Sequence, residues 1–211
     1  SIDFTGVTDI RASQQAFVAL QAVCWGDSLY GVGGGDCSSI DFTGATDIFS
    51  TGFAFAALKK DDLGQAVCWG DAMRGGDCSS LDFTGVTDVF SNGFSFVALK
   101  KDLEQAVCWG LASYGGNCSS LDFTGVTDIG GSDRAWFALK VDLGQAVCWG
   151  DGDEGGDCSS IDFTGVTSCT TKIAATASST TSTTTSTTSS PVKTWTGATT
   201  AAAWALPPSV A

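Results

Sequence analysis

Cysteine is the residue type whose spacing in this sequence most directly predicts a chemistry. The 211-residue chain contains nine cysteines and no histidine. No two cysteines have the CxxC spacing of a zinc site, and no histidine is present to complete a mixed ligand set. Regularly spaced cysteines without metal-binding spacing are typical of disulfides formed in an oxidising compartment. They therefore predict an extracellular protein, either secreted or at the cell surface.

Eight of the cysteines fall into four pairs with separations of 13, 10, 10 and 10 residues. The pairs are Cys24 with Cys37, Cys68 with Cys78, Cys108 with Cys118, and Cys148 with Cys158. Bonding within each pair is favoured, because the spacings are short and alike, and each bond would add about 2–4 kcal/mol of stability. Spacing alone does not fix connectivity, so a shifted scheme stays open, with bonds from Cys37 to Cys68, Cys78 to Cys108 and Cys118 to Cys148.

In either scheme one of the nine cysteines has no disulfide partner. Pairing within units leaves Cys169, whereas the shifted scheme leaves Cys24 if Cys158 joins Cys169. A leftover cysteine in a secreted protein is typical of a covalent link between subunits, and a buried or blocked thiol is the alternative.

Acidic residues dominate the charge but form no catalytic pattern. The net charge is −13, which disfavours a nucleic-acid partner because phosphates require lysine and arginine. Because the sequence has no histidine, no histidine base is available for a serine or cysteine nucleophile. Each aspartate recurs with its repeat, and this repetition favours a role in turn hydrogen bonding over a pair of glycosidase carboxylates. The loop 151–157 is the most acidic and could bind Ca²⁺, but it lacks the EF-hand spacing. We predict no enzyme and no cofactor.

Two kinds of glycosylation site are predicted. Residues 176–190 consist of Ser and Thr apart from one Ala, which favours an O-glycosylated stalk over an unmodified flexible linker. The candidate acceptors are Thr180, Thr181, Ser182, Thr183, Thr184, Thr185, Ser186, Thr187 and Thr188. Asn117-Cys118-Ser119 fits the N-glycosylation pattern.

Four copies of Gln-Ala-Val-Cys-Trp-Gly, at 21–26, 65–70, 105–110 and 145–150, show that the chain is one unit copied. Ser-Ile/Leu-Asp-Phe-Thr-Gly-Val/Ala-Thr occurs five times. The repeats predict a domain over 1–168 with four units, 1–38, 39–79, 80–119 and 120–159, and a partial copy at 160–168. A Ser/Thr-rich linker over 169–190 and a docking segment over 191–211, which contains Trp195 and Trp204, follow. Ser1 lies inside a repeat without a leader sequence, which favours a mature or trimmed product.

Each unit predicts three short strands and no long helix. The first is rich in β-branched and aromatic residues, as at 4–10. The second is an apolar run such as 54–58, which favours a strand buried on both faces. Gln-Ala-Val-Cys-Trp is the third and is interpreted as the inner strand, with its Trp in the core and its Cys bonded to the following turn. A polar turn joins strands two and three except in unit one, where Leu20 runs directly into Gln21.

The pattern Ala-Phe-x-Ala-Leu-Lys-x-Asp, followed by Gln-Ala-Val-Cys-Trp-Gly-Asp-x-x-x-Gly-Gly, resembles the regulator-of-chromosome-condensation repeat family. The resemblance covers roughly residues 7–158 and is best in units two to four. It implies β-propeller blades and a packing role for the Trp-Gly pair, and it implies no single function. We predict an all-β array of propeller-like blades, open or partial, with a β-solenoid as the alternative.

The fifth copy of the Phe-Thr-Gly-Val-Thr segment, at 160–167, exceeds the number of hairpins by one. As a strand it would either cap unit four or pair with a neighbouring molecule in a head-to-tail filament. We predict a secreted structural glycoprotein, a homo-oligomeric subunit of an extracellular filament or surface coat. A propeller-like module on a glycosylated stalk that binds protein or carbohydrate is the alternative. No apolar run approaches the ~20 residues of a membrane span.

Overall fold

The computed structural model describes residues 10–19, 23–26, 34–59 and 64–168. These ranges form four three-stranded antiparallel sheets that follow one another along the chain, which confirms the predicted all-β array of propeller-like repeats. The strands are β1 Ile10–Ala12, β2 Ala16–Ala19, β3 Val23–Gly26, β4 Ala45–Ser50, β5 Ala54–Lys59, β6 Gln65–Gly70, β7 Asp88–Ser91, β8 Ser95–Lys100, β9 Gln105–Gly110, β10 Asp128–Gly131, β11 Ala135–Lys140 and β12 Gln145–Gly150.

In every sheet the second strand of the unit lies at the centre, flanked by the first and the third. The interpretation of Gln-Ala-Val-Cys-Trp-Gly as the inner strand is therefore wrong, because β6, β9 and β12 are edge strands. All six residues of β5 and of β8 are buried, as the apolar runs predict. Successive side chains of a strand point to opposite faces, so a central strand is covered on both faces only if another sheet packs on each side.

The hydrophobic cores lie between consecutive sheets. Residues of units one and two form one cluster, units two and three a second, and units three and four a third. In β5, Phe55 and Ala57 face unit one, whereas Ala54, Ala56 and Leu58 face unit three. The first strands of consecutive sheets also contact each other, β1 with β4, β4 with β7 and β7 with β10. Each unit is therefore stabilised by its neighbours.

In units two to four the first strand begins later than predicted. The Asp-Phe-Thr-Gly segment is a turn, in which the Asp82 carboxylate accepts a hydrogen bond from the Thr84 amide and the Val86 amide donates to the Phe83 carbonyl. Gly85 has a φ of 76°, a conformation that side chains other than glycine rarely adopt. Strand β7 starts only at Asp88. Residues 160–168 form the same turn, so the fifth copy is not a strand.

Candidate functional site: the interface between repeats

Each unit contains one disulfide, and each joins the two cysteines of one predicted pair. The bonds are Cys24–Cys37, Cys68–Cys78, Cys108–Cys118 and Cys148–Cys158, with Cα–Cα distances of 5.6 to 5.8 Å. The shifted scheme is not formed. Four disulfides indicate an oxidising, extracellular environment.

The disulfides attach a loop, here called the connecting segment, to the third strand of each unit. The connecting segments are residues 34–45, 75–86, 115–126 and 155–166. The second one is bonded to unit two through Cys78, yet its Phe83 contacts Trp109 of unit three edge-on, at 5.3 Å between ring centroids. A connecting segment is thus fixed covalently to one unit and packs against the next.

A tryptophan and a glycine form the centre of the interface. Trp109 stacks on Phe96 at 4.9 Å, and its indole N–H donates a hydrogen bond of 3.2 Å to the Gly75 carbonyl of the preceding unit. A Cβ at Gly75 would lie 2.5 Å from the Phe96 ring, and its φ is 107°, so only glycine fits there. The same donor bonds join Trp69 to Gly34 and Trp149 to Gly115. From the sequence this Gly-Gly stretch is interpreted only as a wide turn.

A lysine at the end of each central strand in units two to four pairs with the aspartate of the connecting segment. Lys100 Nζ lies 3.0 Å from Asp82 Oδ2, with the lysine side chain 6% and the aspartate side chain 72% exposed. Lys59 pairs with Asp41 and Lys140 with Asp122 in the same way. The aliphatic stem of the lysine is buried while its ammonium reaches the rim. Sequence reasoning missed this pair, because it assigned the lysine to the polar turn.

The environment of these aspartates favours their charged form. Hydrogen bonds from the backbone and side chain of Thr84, and then the one from Lys100, lower the pKa of Asp82 to about 2. The equivalent contacts of Thr43 and Lys59 lower the pKa of Asp41 to about 2. At neutral pH the acidic member of each pair is ionised, so the pair is an ionic contact within the interface.

A ladder of backbone hydrogen bonds joins the units at the turns between first and second strands. The Gln14 amide donates to the Gly52 carbonyl, the Gly52 amide to the Gly93 carbonyl, and the Gly93 amide to the Asp133 carbonyl, over 2.9 to 3.1 Å. The ladder is directional, because each unit donates to the one that follows. Within the described ranges its last members are the Gln14 carbonyl at one end and the Asp133 amide at the other.

The fourth connecting segment repeats this surface on the far side of unit four. Ile161 is 52% exposed. Cys158 is partly exposed, whereas its equivalent Cys118 is 5% exposed. A Cβ at Gly155 would have no atom within 4 Å, in contrast to Gly75. We call this surface the tail face and define it by Phe137, Gly155, Cys158, Ile161 and Phe163.

The opposite surface of unit one contains the equivalents of residues that are buried at the internal boundaries. Phe17 stacks on Trp25 with 5.4 Å between centroids, much as Phe55 stacks on Trp69 at 5.3 Å. Phe17 is 44% exposed, whereas Phe55 is fully buried. Ile10 is 47% exposed. These two exposed residues, Ile10 and Phe17, are called the head face.

The other predicted sites have structural roles or lie outside the described residues. The Asn117 side chain accepts hydrogen bonds from the amide and hydroxyl of Ser119, and its glycosylation stays a prediction. In the acidic loop the Asp151 carboxylate accepts from the Asp153 amide and caps a 3-10 turn. In the part of the chain that the structure describes, no three acidic or cysteine side chains are grouped to hold a metal ion. Cys169 and the predicted O-glycosylation sites, Thr180 to Thr188, lie beyond the described ranges.

Comparisons with known proteins give a structural likeness only. No protein-family profile and no curated protein matches the sequence. The receptor kinase CR4 ectodomain of Physcomitrella patens is similar with a TM-score of 0.46 and 20% identity, over 68% of this chain and 40% of its own. The CRINKLY WD40 ectodomain of the Arabidopsis thaliana receptor kinase ACR4 is similar with a TM-score of 0.46 and 19% identity, over 69% of this chain and 51% of its own. Among the described residues no helix is long and apolar enough to span a membrane.

Proposed function

We propose that this chain is a secreted structural glycoprotein, a subunit of an extracellular filament or surface coat. The observation that carries the proposal is the interface between repeats, which is built three times from the same residues and is followed by an uncovered fourth copy. The most strongly repeated residues of the chain, Trp, Cys and Asp, serve this interface. Because its repeated residues pack one unit on the next, the chain is suited to a mechanical role rather than to catalysis.

Two further features support the proposal. The disulfides stabilise a thin array of sheets that has no single large core, as in other small extracellular domains. The Ser/Thr-rich stretch at 176–190 would extend and solubilise the subunit if it carries O-glycans. The packing role implied for the Trp-Gly pair by the regulator-of-chromosome-condensation resemblance agrees with a scaffold.

Imaging of the full chain tests this function. The protein is purified under oxidising conditions, viewed by negative-stain electron microscopy and weighed in solution by light scattering. We expect extended particles whose length is a multiple of one subunit. Discrete particles with the mass of one chain, in solution and on non-reducing gels, would contradict the filament and favour the binding module on a stalk. Intact mass before and after deglycosylation tests the glycan component, because an unchanged mass would remove it.

A further inference from the structure

We propose that the docking segment, residues 191–211, of one molecule binds the tail face of a neighbouring copy of this chain, with Trp195 as its anchor. The inference rests on the proposed assembly function and names the contact that carries it. The contact takes nothing from unit one, and it does not use 160–167 as a donated strand, since those residues form a turn. The docking segment itself lies beyond the described ranges.

The tail face lacks the tryptophan that each internal boundary supplies. At the boundaries the indole N–H of the following unit donates to a glycine carbonyl of the connecting segment, from Trp69 to Gly34, Trp109 to Gly75 and Trp149 to Gly115. Among the described residues no indole donates to the Gly155 carbonyl, and no tryptophan lies against Phe163 as Trp109 lies against Phe83. A Cβ at Gly155 would meet no atom within 4 Å. The tail face is therefore shaped to receive one more tryptophan.

The chain contains two tryptophans that its repeats do not use. Of its seven tryptophans, five lie in the described units, and each of these has an aromatic partner there: Trp25, Trp69, Trp109, Trp136 and Trp149. The other two, Trp195 and Trp204, both belong to the docking segment. Tryptophan gains much from burial of its ring and needs a partner for its N–H, which the Gly155 carbonyl provides.

The residues around Trp195 suit this site better than those around Trp204. Val192, Thr194 and Thr196 are β-branched and favour an extended segment. Side chains two positions apart share one side of such a segment, so Lys193 accompanies Trp195, much as a lysine with a buried stem accompanies the tryptophan at each boundary. Trp204 has alanine on both sides and no lysine nearby.

Charge favours the same pairing. Residues 169–211 contain two lysines and no acidic residue, so this part of the chain carries +2. Since the whole chain carries −13, removing that +2 leaves −15 on residues 1–168. Gly155 belongs to the acidic loop 151–157, so the docking segment approaches a surface of opposite charge. Such complementarity steers the encounter between the two surfaces.

The linker between the repeats and the docking segment decides which copy the segment reaches. As a flexible coil, the 22 residues of 169–190 would span about 25 Å and leave the segment close to its own tail face. O-glycans would stiffen and extend the same residues to roughly 70 Å, at ~3 Å per residue. A stiff linker cannot turn back, so the effective concentration of the segment at its own tail face falls toward zero. In the proposed glycoprotein the contact therefore forms between molecules, and because its two surfaces differ it repeats from copy to copy.

The test uses the glycosylated full chain in five forms. They are wild type, Trp195→Ala in the docking segment, Ile161→Glu on the tail face, and the controls Trp204→Ala and Met73→Glu. Ile161 and Met73 are 52% and 71% exposed, so both positions accept a charge without burying it. Sedimentation velocity is measured over a concentration series. We expect wild type and both controls to assemble, and Trp195→Ala and Ile161→Glu to keep the mass of one chain over the same concentrations.

Mixing the two assembly-deficient variants separates the contact from a folding defect. Trp195→Ala retains the tail face and Ile161→Glu retains the docking segment, so an equimolar mixture should form a dimer and nothing larger. A synthetic peptide of residues 191–211 should bind the Trp195→Ala chain and disperse wild-type assemblies. The same peptide with the Trp195→Ala substitution should do neither.

The possible results distinguish this inference from the proposed function. Assembly of Trp195→Ala or Ile161→Glu on its own, loss of assembly in Trp204→Ala, or a mixture that stays monomeric would overturn the inference, while assembly of the wild type leaves the proposed function standing. Wild type that stays monomeric at every concentration would overturn both. Binding of the peptide to the Trp195→Ala chain in that case would show that the segment covers the tail face of its own molecule.

Discussion

The boundary between units two and three and the tail face after unit four contain the same residue types in the same order. At the boundary the aromatic stack closes over Gly75, and Cys78 is 6% exposed. At the tail face the space beside Gly155 is open and Ile161 is 52% exposed. The difference teaches that burial here belongs to a pair of units, because a unit supplies only half of each core.

The largest expected difference is in the free energy of unfolding that is lost when an aromatic residue is removed, either at a boundary between units or on an exposed end of the array. Phe96 is fully buried at a boundary, and Phe17 occupies the same place on the exposed head face. Phe96→Ala should lower the free energy of unfolding by about 3–5 kcal/mol, since it leaves a cavity, and Phe17→Ala by less than half of that. Guanidinium denaturation of both variants, each with low protein concentration to keep it monomeric, measures the difference. Equal losses would mean that Phe17 is covered within its own chain.

Removal of two equivalent disulfides, one at a boundary and one at the tail face, should separate the contribution of loop-closure entropy to stability from the contribution of packing. The Cys108→Ala/Cys118→Ala and Cys148→Ala/Cys158→Ala variants both open a loop of sequence separation 10, so each should lose about 2–3 kcal/mol through the unfolded state. The first pair should lose more, because Cys118 is 5% exposed and Cys158 is partly exposed. The urea concentrations at the unfolding midpoints of the two double variants test this order. A larger loss for the second pair would show that the tail face is not open.

Two glycines offer a closely matched comparison. Gly75 and Gly155 have φ values of 107° and 103°, so alanine is strained at both by about 1–2 kcal/mol. At Gly75 the new Cβ also meets the Phe96 ring, which adds about 1–3 kcal/mol of overpacking. Gly75→Ala should therefore melt at a lower temperature than Gly155→Ala in differential scanning calorimetry.

The smallest expected effect is on the dependence of stability on pH in the acidic range. The folded-state pKa of Asp41 and of Asp82 is about 2, below the unfolded value of ~3.9. A lowered folded-state pKa stabilises the fold above the unfolded value, and this stabilisation is lost as pH falls from about 4 through about 2. Denaturation midpoints of the wild type should fall across this window. The combined Asp41→Asn, Asp82→Asn and Asp122→Asn substitutions should flatten that dependence, and Asp82→Asn alone should flatten it less. A full acid dependence in the triple variant would assign it to other groups.

Much of the fold follows from local sequence patterns. The repeat length, the central apolar strands such as β5, and the pairing of cysteines ten residues apart are all local, so the sequence predicts them. The strand proposed for Phe-Thr-Gly-Val was wrong because Asp82 bonds to the Thr84 amide and Gly85 takes a positive φ, and this turn chemistry outweighs the β-branched composition.

The candidate site was less predictable. Gly75 binds the indole of Trp109, a partner 34 positions away, and a pattern read along one unit contains no signal of that contact. Lys100 belongs by composition to a polar turn, yet its side chain is 6% exposed because the connecting segment lies over its stem. Repetition of Gly-Gly and Lys at fixed places in units two to four was the one signal that could have revealed their roles.

The sequence by itself determined the repeating unit, its second and third strands, its disulfide chemistry and the extracellular environment, because these depend on residue type and on spacings within one unit. Only the tertiary structure decided which strand is central, which glycines accept an aromatic ring, and that unit four ends in a copy of the interface that its own repeats leave uncovered. Those properties arise from contacts between units about 35 to 40 residues apart, where the packing of one sheet on the next determines what each side chain meets.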